Sequence, residues 1–202
     1  MHKAVFLDRD GVLNELIYYE EQGIVDSPFT AGQLKLFPWA GEAIKKLVEG
    51  GYKVIIVSNQ PGIAKGQFSR EAFEKIRDKM KEELTKQEAF VDGEYYCFHH
   101  PEAVVADLKE NCECRKPKPG LLIQAAKEHD IDLLQSWMIG DNLTDVKAGK
   151  DAGCKTVLLG KMKCQLCRLM DEQDSRPCAI APNLLDAASI VLNSEGKHGN
   201  IY

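Results

Sequence analysis

Short apolar segments rich in β-branched residues alternate with amphipathic helical patterns along most of this chain. The apolar segments are 4–7, 54–57, 137–139 and 156–159. They are apolar at successive positions, which is typical of strands buried on both faces. Helical patterns lie at 41–49, 70–88, 120–128 and 143–151. The alternation predicts right-handed βαβ crossovers and an α/β fold with a doubly wound, mostly parallel sheet. Ligands of such folds bind at the carboxyl ends of the strands.

Residues typical of helix ends support this order of elements, and the sequence indicates one domain over residues 1–202. Ser69 is predicted to cap the second helix, and Pro119 suits the first turn of the third. The regular pattern lapses over 161–182, a terminal helix follows at 183–192, and 193–202 is a loose tail. A length of 202 residues is enough to bury a full core.

Charge and hydropathy exclude some classes of partner. The net charge of −5 argues against broad attachment to nucleic acid or to anionic lipid, so an anionic substrate must be held by a few placed residues. No apolar stretch is long enough for a membrane span, and the first ten residues lack a signal-peptide core. We therefore expect a cytoplasmic monomer that acts on a small molecule.

Two carboxylates follow the first predicted strand, because Asp8 and Asp10 precede Gly11 directly after segment 4–7. A carboxylate at this edge can act as a nucleophile or a metal ligand, and a second one on the same loop can transfer protons. A polar Asp-Gly turn without chemistry is the alternative, since such turns are common after strands.

Polar residues at three other positions favour chemistry. They are Ser58 and Asn59 after the second strand, Lys116 in a basic loop, and Gly140-Asp141 after the third strand, with Asp145 four residues later. Together with Asp8-x-Asp10-Gly11 they resemble the four ordered motifs of the haloacid dehalogenase (HAD) superfamily of phosphatases. The resemblance implies a HAD-like Rossmann-type sheet. No large cap insertion is evident after Asp10 or between Ser58 and Lys116, so we expect no large cap domain.

The resemblance implies a role for each matching residue. Asp8 would attack phosphorus and Asp10 would act as acid and base, while Ser58, Asn59 and Lys116 would hold the phosphoryl oxygens. Mg²⁺ would be held by Asp8, the Asp10 carbonyl and Asp141. Asp145 is either a further metal ligand or an acid in the first turn of a helix.

A cysteine and histidine cluster interrupts the α/β pattern before Lys116. The sequence Cys97-x-His99-x12-Cys112-x-Cys114 offers four ligands that suit tetrahedral Zn²⁺, and four protein ligands close the site, so this zinc would be structural. His99 is favoured over His100, because its separation from Cys97 matches that of the other pair. A loop of unbound thiols is the alternative for residues 97–114.

The zinc loop and the residues after it resemble those of the D-glycero-D-manno-heptose-1,7-bisphosphate phosphatases. That family implies a substrate contact for Arg115, beside Lys116. Histidinol-phosphate phosphatases have a similar zinc loop, so hydrolysis of histidinol phosphate or another small phosphomonoester stays open. A non-catalytic zinc-structured binding module and a polynucleotide 3′-phosphatase are more distant alternatives.

The chain departs from the heptose family in two places. Segment 14–38 is longer than expected and would border the substrate. Asn142 stands where many of those enzymes have a substrate-binding lysine, and it would contact substrate by hydrogen bonding alone. Outside the resemblance, Cys164, Cys167 and Cys178 are either a second zinc set or unbound thiols, of which we favour the latter.

Overall fold

The computed structural model describes residues 1–160, 170 and 172–194. Its main sheet has six parallel strands in the order β5-β4-β1-β6-β7-β8, and a separate antiparallel hairpin pairs β2 with β3. The predicted parallel α/β sheet is therefore confirmed. The strands are β1 (Ala4–Leu7), β2 (Ile17–Tyr19), β3 (Ile24–Asp26), β4 (Lys53–Asn59), β5 (Gly93–Cys97), β6 (Trp137–Gly140), β7 (Lys155–Leu159) and β8 (Ala179–Ala181).

Helices cover both faces of the sheet. They are α1 (Ala40–Glu49), α2 (Arg70–Lys86), α3 (Gly120–Glu128), α4 (Leu143–Ala152) and α5 (Leu184–Asn193). Successive side chains of β1 point to opposite faces, as the period of a strand requires. Val5 and Leu7 pack in a core cluster with α1, α2 and α5, whereas Ala4 and Phe6 pack with α3 and α4. The central strands are thus buried on both sides.

Helix ends follow the predicted signals closely. The Ser69 hydroxyl accepts a hydrogen bond from the Ala72 amide at 3.2 Å, which confirms it as the N-cap of α2. Pro119 lies at the N-cap of α3 rather than in its first turn. The terminal helix α5 is capped by Asn183 and includes Asn193, the first residue of the predicted tail.

The sequence patterns did not indicate strands β2, β3, β5 and β8. Strand β5 has glutamate and two tyrosines at half-buried positions, so it lacks the continuous apolar run of the central strands. The other three are only three residues long, and β8 lies within 161–182. Such strands exist because of the tertiary pairing they make rather than their own propensity.

Two predictions fall partly outside the described residues, the loose tail at 193–202 and the second set of thiols. Cys164 and Cys167 lie there, while the Cys178 thiol lies 3.4 Å from the Thr156 amide nitrogen. No helix in residues 1–160 and 172–194 combines the length and apolar character that a bilayer span needs.

Candidate active site

The central strands bring the sequence-predicted polar residues to one pocket. Strands β4, β1 and β6 are neighbours, and Ser58, Asp8 and Asp141 lie at or directly after their carboxyl ends. The pocket has a volume of about 350 Å³. The predicted phosphate, substrate and metal residues that line it are Asp8, Asp10, Ser58, Asn59, Arg115, Lys116, Asp141, Asn142 and Asp145.

Lys116 is buried at the base of this pocket between two carboxylates. Its ammonium lies 2.6 Å from Asp145 Oδ1 and 3.1 Å from Asp8 Oδ1, and it donates a hydrogen bond to the Val57 carbonyl at 2.8 Å. Burial alone would lower the pKa of Lys116, but the charges of Asp145 and Asp8 outweigh it and raise the pKa. The side chain is therefore a fixed cation beside Asp8.

Asp8 keeps one carboxylate oxygen for the pocket. Oδ1 accepts the Arg9 amide at 2.7 Å and faces Lys116, whereas Oδ2 makes no hydrogen bond with any residue in the described part of the chain. A carboxylate that is held at one oxygen by two donors is oriented without blocking its other oxygen. This arrangement suits a nucleophile.

Three carboxylates form a potential cation site. Oxygens of Asp8, Asp141 and Asp145 lie within 4.8 Å of one another. Burial, followed by the charges of Asp8 and Asp145, raises the pKa of Asp141 to about 7. Gly11 has φ +78°, and a Cβ there would overlap the Asp141 carboxyl group, so glycine keeps this space open. Clustered hard oxygen donors of this kind fit Mg²⁺.

Asp145 also contacts Asn142 and Lys116. Its Oδ2 accepts the Asn142 amide at 3.0 Å, and the Asn142 side chain in turn accepts the Thr144 amide at 3.3 Å. The two residues form the capping box of α4. Asp145 is thus the predicted first-turn acid, and its other oxygen pairs with Lys116.

Asn59 and Ser58 differ in what their side chains contact. The Asn59 amide accepts a hydrogen bond from the Lys116 backbone nitrogen and donates one to the Lys116 carbonyl, both at 3.0 Å. Its polar atoms therefore hold the backbone that carries Lys116, whereas we expected them to contact phosphate. The buried Ser58 hydroxyl accepts a hydrogen bond from Gln60 at 3.2 Å.

Asp10 is held by three side chains that the sequence patterns did not single out. Arg9 contacts both carboxylate oxygens at 2.9–3.2 Å, Asn14 donates to Oδ1 at 2.9 Å, and Gln60 donates to Oδ2 at 2.6 Å. All three donors are fully buried. Arginine, asparagine and glutamine are usually exposed, so composition offers no signal for a buried network of this kind.

The predicted zinc ligands converge at the end of β5. Sγ of Cys114 lies 3.1 Å from that of Cys97 and 3.2 Å from that of Cys112, and the Cys97 and Cys112 sulfurs are 3.5 Å apart. His99 Nδ1 lies 3.5 Å from the Cys114 sulfur and 4.0 Å from the Cys97 sulfur. The four side chains therefore surround one point.

This donor set fits a tetrahedral zinc ion. Zn–S bonds of about 2.3 Å imply sulfur–sulfur edges of about 3.8 Å, so the thiols would move apart slightly on binding. Burial raises the pKa of Cys112, but hydrogen bonds from Cys114 and Cys97 outweigh it and lower the pKa to about 7. The structure places His99 in the cluster, whereas His100 Nδ1 accepts the Glu102 amide at 3.1 Å.

The cluster is joined to the pocket by backbone at two points. Cys114 directly precedes Arg115 and Lys116, and Arg115 donates to the His99 carbonyl at 3.4 Å. The Cys97 carbonyl accepts the Gln60 backbone amide at 2.7 Å. The position of the cluster therefore influences where Lys116, which contacts Asp8, and Gln60, which contacts Asp10, are held.

The β2–β3 hairpin lies in the long segment 14–38 and forms one wall of the pocket. Leu16, Val25, Asp26 and Ser27, in or beside the hairpin, line the same pocket as Asp8. Gln67, from the loop after β4, donates to Asp26 at 3.3 Å, and the Phe29 and Phe68 rings lie 5.5 Å apart. The segment that departs from the expected pattern therefore borders the pocket.

Comparisons with known proteins agree with this geometry. A family model described as HAD-hydrolase-like matches residues 113–187. The chain is 43% identical over 159 residues to D-glycero-beta-D-manno-heptose-1,7-bisphosphate 7-phosphatase of Haemophilus influenzae, covering 79% of this chain and 82% of the relative. It is 35% identical over 159 residues to the alpha-anomer enzyme of Photorhabdus laumondii, covering 79% and 82%.

A solved structure resembles the whole fold. The D,D-heptose 1,7-bisphosphate phosphatase of B. bronchiseptica, complexed with magnesium and phosphate, superposes with a TM-score of 0.75 at 29% sequence identity. The match covers 95% of this chain and 99% of the other.

Proposed function

The chain belongs to the heptose-1,7-bisphosphate 7-phosphatase family of HAD-like hydrolases, and from this premise we propose that it removes the 7-phosphate of D-glycero-β-D-manno-heptose 1,7-bisphosphate. One observation supports the chemistry above all. Asp8 lies against the buried Lys116 in a pocket that also holds Asp10. The β anomer is favoured because the relatives with 39–44% identity have that name.

The first half of the reaction transfers the phosphoryl group to the protein. Asp8 attacks phosphorus with its free carboxylate oxygen, the bond between phosphorus and the sugar oxygen breaks, and Asp10 gives a proton to the leaving oxygen. Lys116, whose charge is held beside Asp8, stabilises the negative charge of the phosphoryl oxygens. The product is an aspartyl-phosphate and a heptose monophosphate.

The second half releases phosphate. Asp10, now ionised, accepts a proton from water as the water attacks the aspartyl-phosphate, and the Asp8–phosphorus bond breaks. Ser58 and Lys116 hold the phosphoryl oxygens through both steps. Asp8 and Asp10 then return to their starting protonation states.

Two metal ions complete the proposal. Mg²⁺ would be held by Asp8, Asp141 and the Asp10 carbonyl, while Asp145 mainly holds Lys116. When bound, Mg²⁺ offsets the repulsion between the carboxylates and phosphate. Zn²⁺ would be held by the cluster's four side chains, which leave no position for water, so it would act structurally.

Arg115 and Asn142 are the residues that we expect to contact the second phosphate of the substrate. Arg115 lines the pocket and supplies a charge that Asn142 does not. The hairpin wall would contact the sugar. Action on a small phosphorylated sugar, as a cytoplasmic monomer without nucleic acid or membrane, is part of the same proposal.

A substrate panel tests the proposal. Phosphate release with Mg²⁺ is compared for both anomers of heptose 1,7-bisphosphate, fructose 1,6-bisphosphate and histidinol phosphate at equal concentrations. We expect at least a hundredfold preference in kcat/KM for the β anomer. Dominant turnover of histidinol phosphate would retain the chemistry and overturn the substrate, and absence of turnover with every compound would overturn the proposed activity.

A further inference from the structure

We propose that Gln60 and Arg9 are positioning residues that aim Asp10 for proton transfer to the leaving sugar oxygen. This inference rests on the proposed phosphatase function and extends it beyond the four motifs. Neither side chain lines the pocket, so both would act through Asp10. Both are fully buried.

The Asp10 carboxylate is surrounded by donors from within the protein. Oδ1 accepts hydrogen bonds from Arg9 and Asn14, and Oδ2 accepts from Arg9 and from Gln60, the shortest of them at 2.6 Å. These contacts hold the ionised form of Asp10 and leave its side chain little rotational freedom. When Asp10 takes up the proton that it later gives to the leaving oxygen, the protonated oxygen gives up one of its two donors. The side chain of Asp10 is still 12% exposed, which gives it access to the pocket.

Arg9 also fixes which way the Gln60 amide faces. Its guanidinium donates to Gln60 Oε1 at 2.9 Å, and arginine has no acceptor atom. The amide oxygen of Gln60 must therefore face Arg9, which turns the amide nitrogen towards Asp10 Oδ2. The reversed amide would place two donors against each other and leave Asp10 without this bond.

Gln60 connects Asp10 with two other parts of the site. Its side-chain nitrogen lies 3.2 Å from the Ser58 hydroxyl as well as 2.6 Å from Asp10, and its backbone amide donates to the Cys97 carbonyl. The proton-transfer group and the phosphoryl-binding hydroxyl therefore share one donor. That donor is anchored to the first ligand of the Cys/His cluster.

A role in stability alone does not account for this network. Arg9 is 0% exposed, and within the described residues its ion-pair partner is Asp10. The free energy lost when such an ion pair is removed from water is about as large as the free energy gained from its attraction. Apolar residues of similar volume are often equally stabilising. Keeping it beside a reacting carboxylate is better explained by the orientation that it imposes.

Leaving-group dependence separates positioning from structure. A sugar alkoxide needs a proton as it departs, whereas p-nitrophenolate and acetate depart without one. The value of kcat/KM covers the steps up to and including departure of the leaving group. We therefore divide kcat/KM for the heptose bisphosphate by kcat/KM for p-nitrophenyl phosphate, and separately by that for acetyl phosphate. Each ratio reports how much Asp10 contributes as an acid. A structural defect lowers all three values alike.

Gln60→Met keeps the length of the side chain and removes its three hydrogen bonds, with Asp10, Ser58 and Arg9. We expect kcat/KM for the heptose bisphosphate to fall by about tenfold to a hundredfold, with the values for the activated phosphates within about threefold of the parent protein. The control is Gln87→Met, which removes a part-buried amide contact, to the Gly41 nitrogen, outside the lining of the pocket. This control should leave all three values unchanged.

Arg9→Lys is the second variant, because it keeps the charge but loses the fork that reaches Asp10 and Gln60 together. It should change the same ratio at least fivefold while remaining folded, judged by its melting transition. An equal fall for all three substrates, or no fall, in a folded variant overturns the inference. If the unsubstituted protein hydrolyses none of the three, the proposed function fails instead, so the two failures are distinguishable.

Discussion

The carboxylate–lysine site and the Cys/His cluster both lie at carboxyl ends of strands in the main sheet, and they differ in their donor atoms and in their access to a pocket. The first has three carboxylates around one ammonium and opens into a pocket. In the second, three thiols and one imidazole provide a complete tetrahedral ligand set, with two of the thiols, Cys97 and Cys112, buried.

This difference indicates how each region uses a metal. Burial raises the pKa of Asp141, and the charges of Asp8 and Asp145 raise it further, an excess of negative charge that a bound cation would relieve. Cys97 and Cys112 belong to the same buried cluster as Phe6 and Leu121, and four protein ligands leave no coordination position for another molecule. The first arrangement suits turnover, and the second suits holding a loop.

Asp8→Asn gives the largest expected change and sharpens the comparison on the side of the pocket. The amide is a poor nucleophile, so turnover should fall roughly 10⁴-fold or more, with the melting temperature within a few degrees of the parent. Phosphate release and a thermal melt measure the two effects. Asp151→Asn, at an exposed acid paired with Lys147, is the control and should retain activity. Normal turnover in the Asp8 variant would refute the mechanism.

Lys116→Met should lower both activity and stability, because it removes the one cation between two carboxylates. Breaking a buried ion pair by removing one partner costs about 3–5 kcal/mol, and we expect turnover to fall by about a hundredfold or more. Urea unfolding checks the first effect. Mg²⁺ should narrow the stability gap, since it compensates the same carboxylates. Unchanged stability without Mg²⁺ would contradict the charge imbalance described above.

Sequence patterns predicted which residues meet in these two regions better than they predicted the contacts that support them. Asp8, Asp141 and the Cys/His ligands could be found because strand-end position and ligand spacing are local features. The structure brings all of them to the expected places. Likewise, the central strands are continuous apolar runs, which identified them without tertiary information.

Supporting contacts could not be predicted because they depend on residues distant in sequence. Gln60 meets Arg9 and Asp10 across 50 or 51 positions, and Asn59 meets Lys116 across 57. The same holds for β5, whose half-buried tyrosines acquire strand structure by pairing with β4. Only the three-dimensional register shows that Asn59 holds the Lys116 backbone.

Cys112→Ser tests whether the cluster affects the pocket only by holding Lys116 and Gln60 in place. Loss of one thiolate should release most of the zinc and lower the melting temperature by several degrees, because binding free energy contributes to folding. Turnover should fall by only about tenfold, through displacement of Lys116 and Gln60. Metal analysis, melting and kinetics measure these effects, and Cys178→Ser is the control. A protein purified without zinc that melts normally would contradict the structural role.

Glu110→Gln gives the smallest expected effect on activity and separates the two regions most sharply. Glu110 Oε2 lies 3.6 Å from Nε2 of His99, on the ring side opposite the cluster, where carboxylates commonly orient a zinc-binding histidine. Zinc affinity should fall by about tenfold in a chelator competition, because outer partners tune ligand basicity. With zinc in excess, kcat should stay within about twofold of the parent, since zinc then still occupies the cluster and holds residues 97–114 together. A large fall in kcat at saturating zinc would mean that the cluster contributes more to the reaction than the position of Lys116 and Gln60.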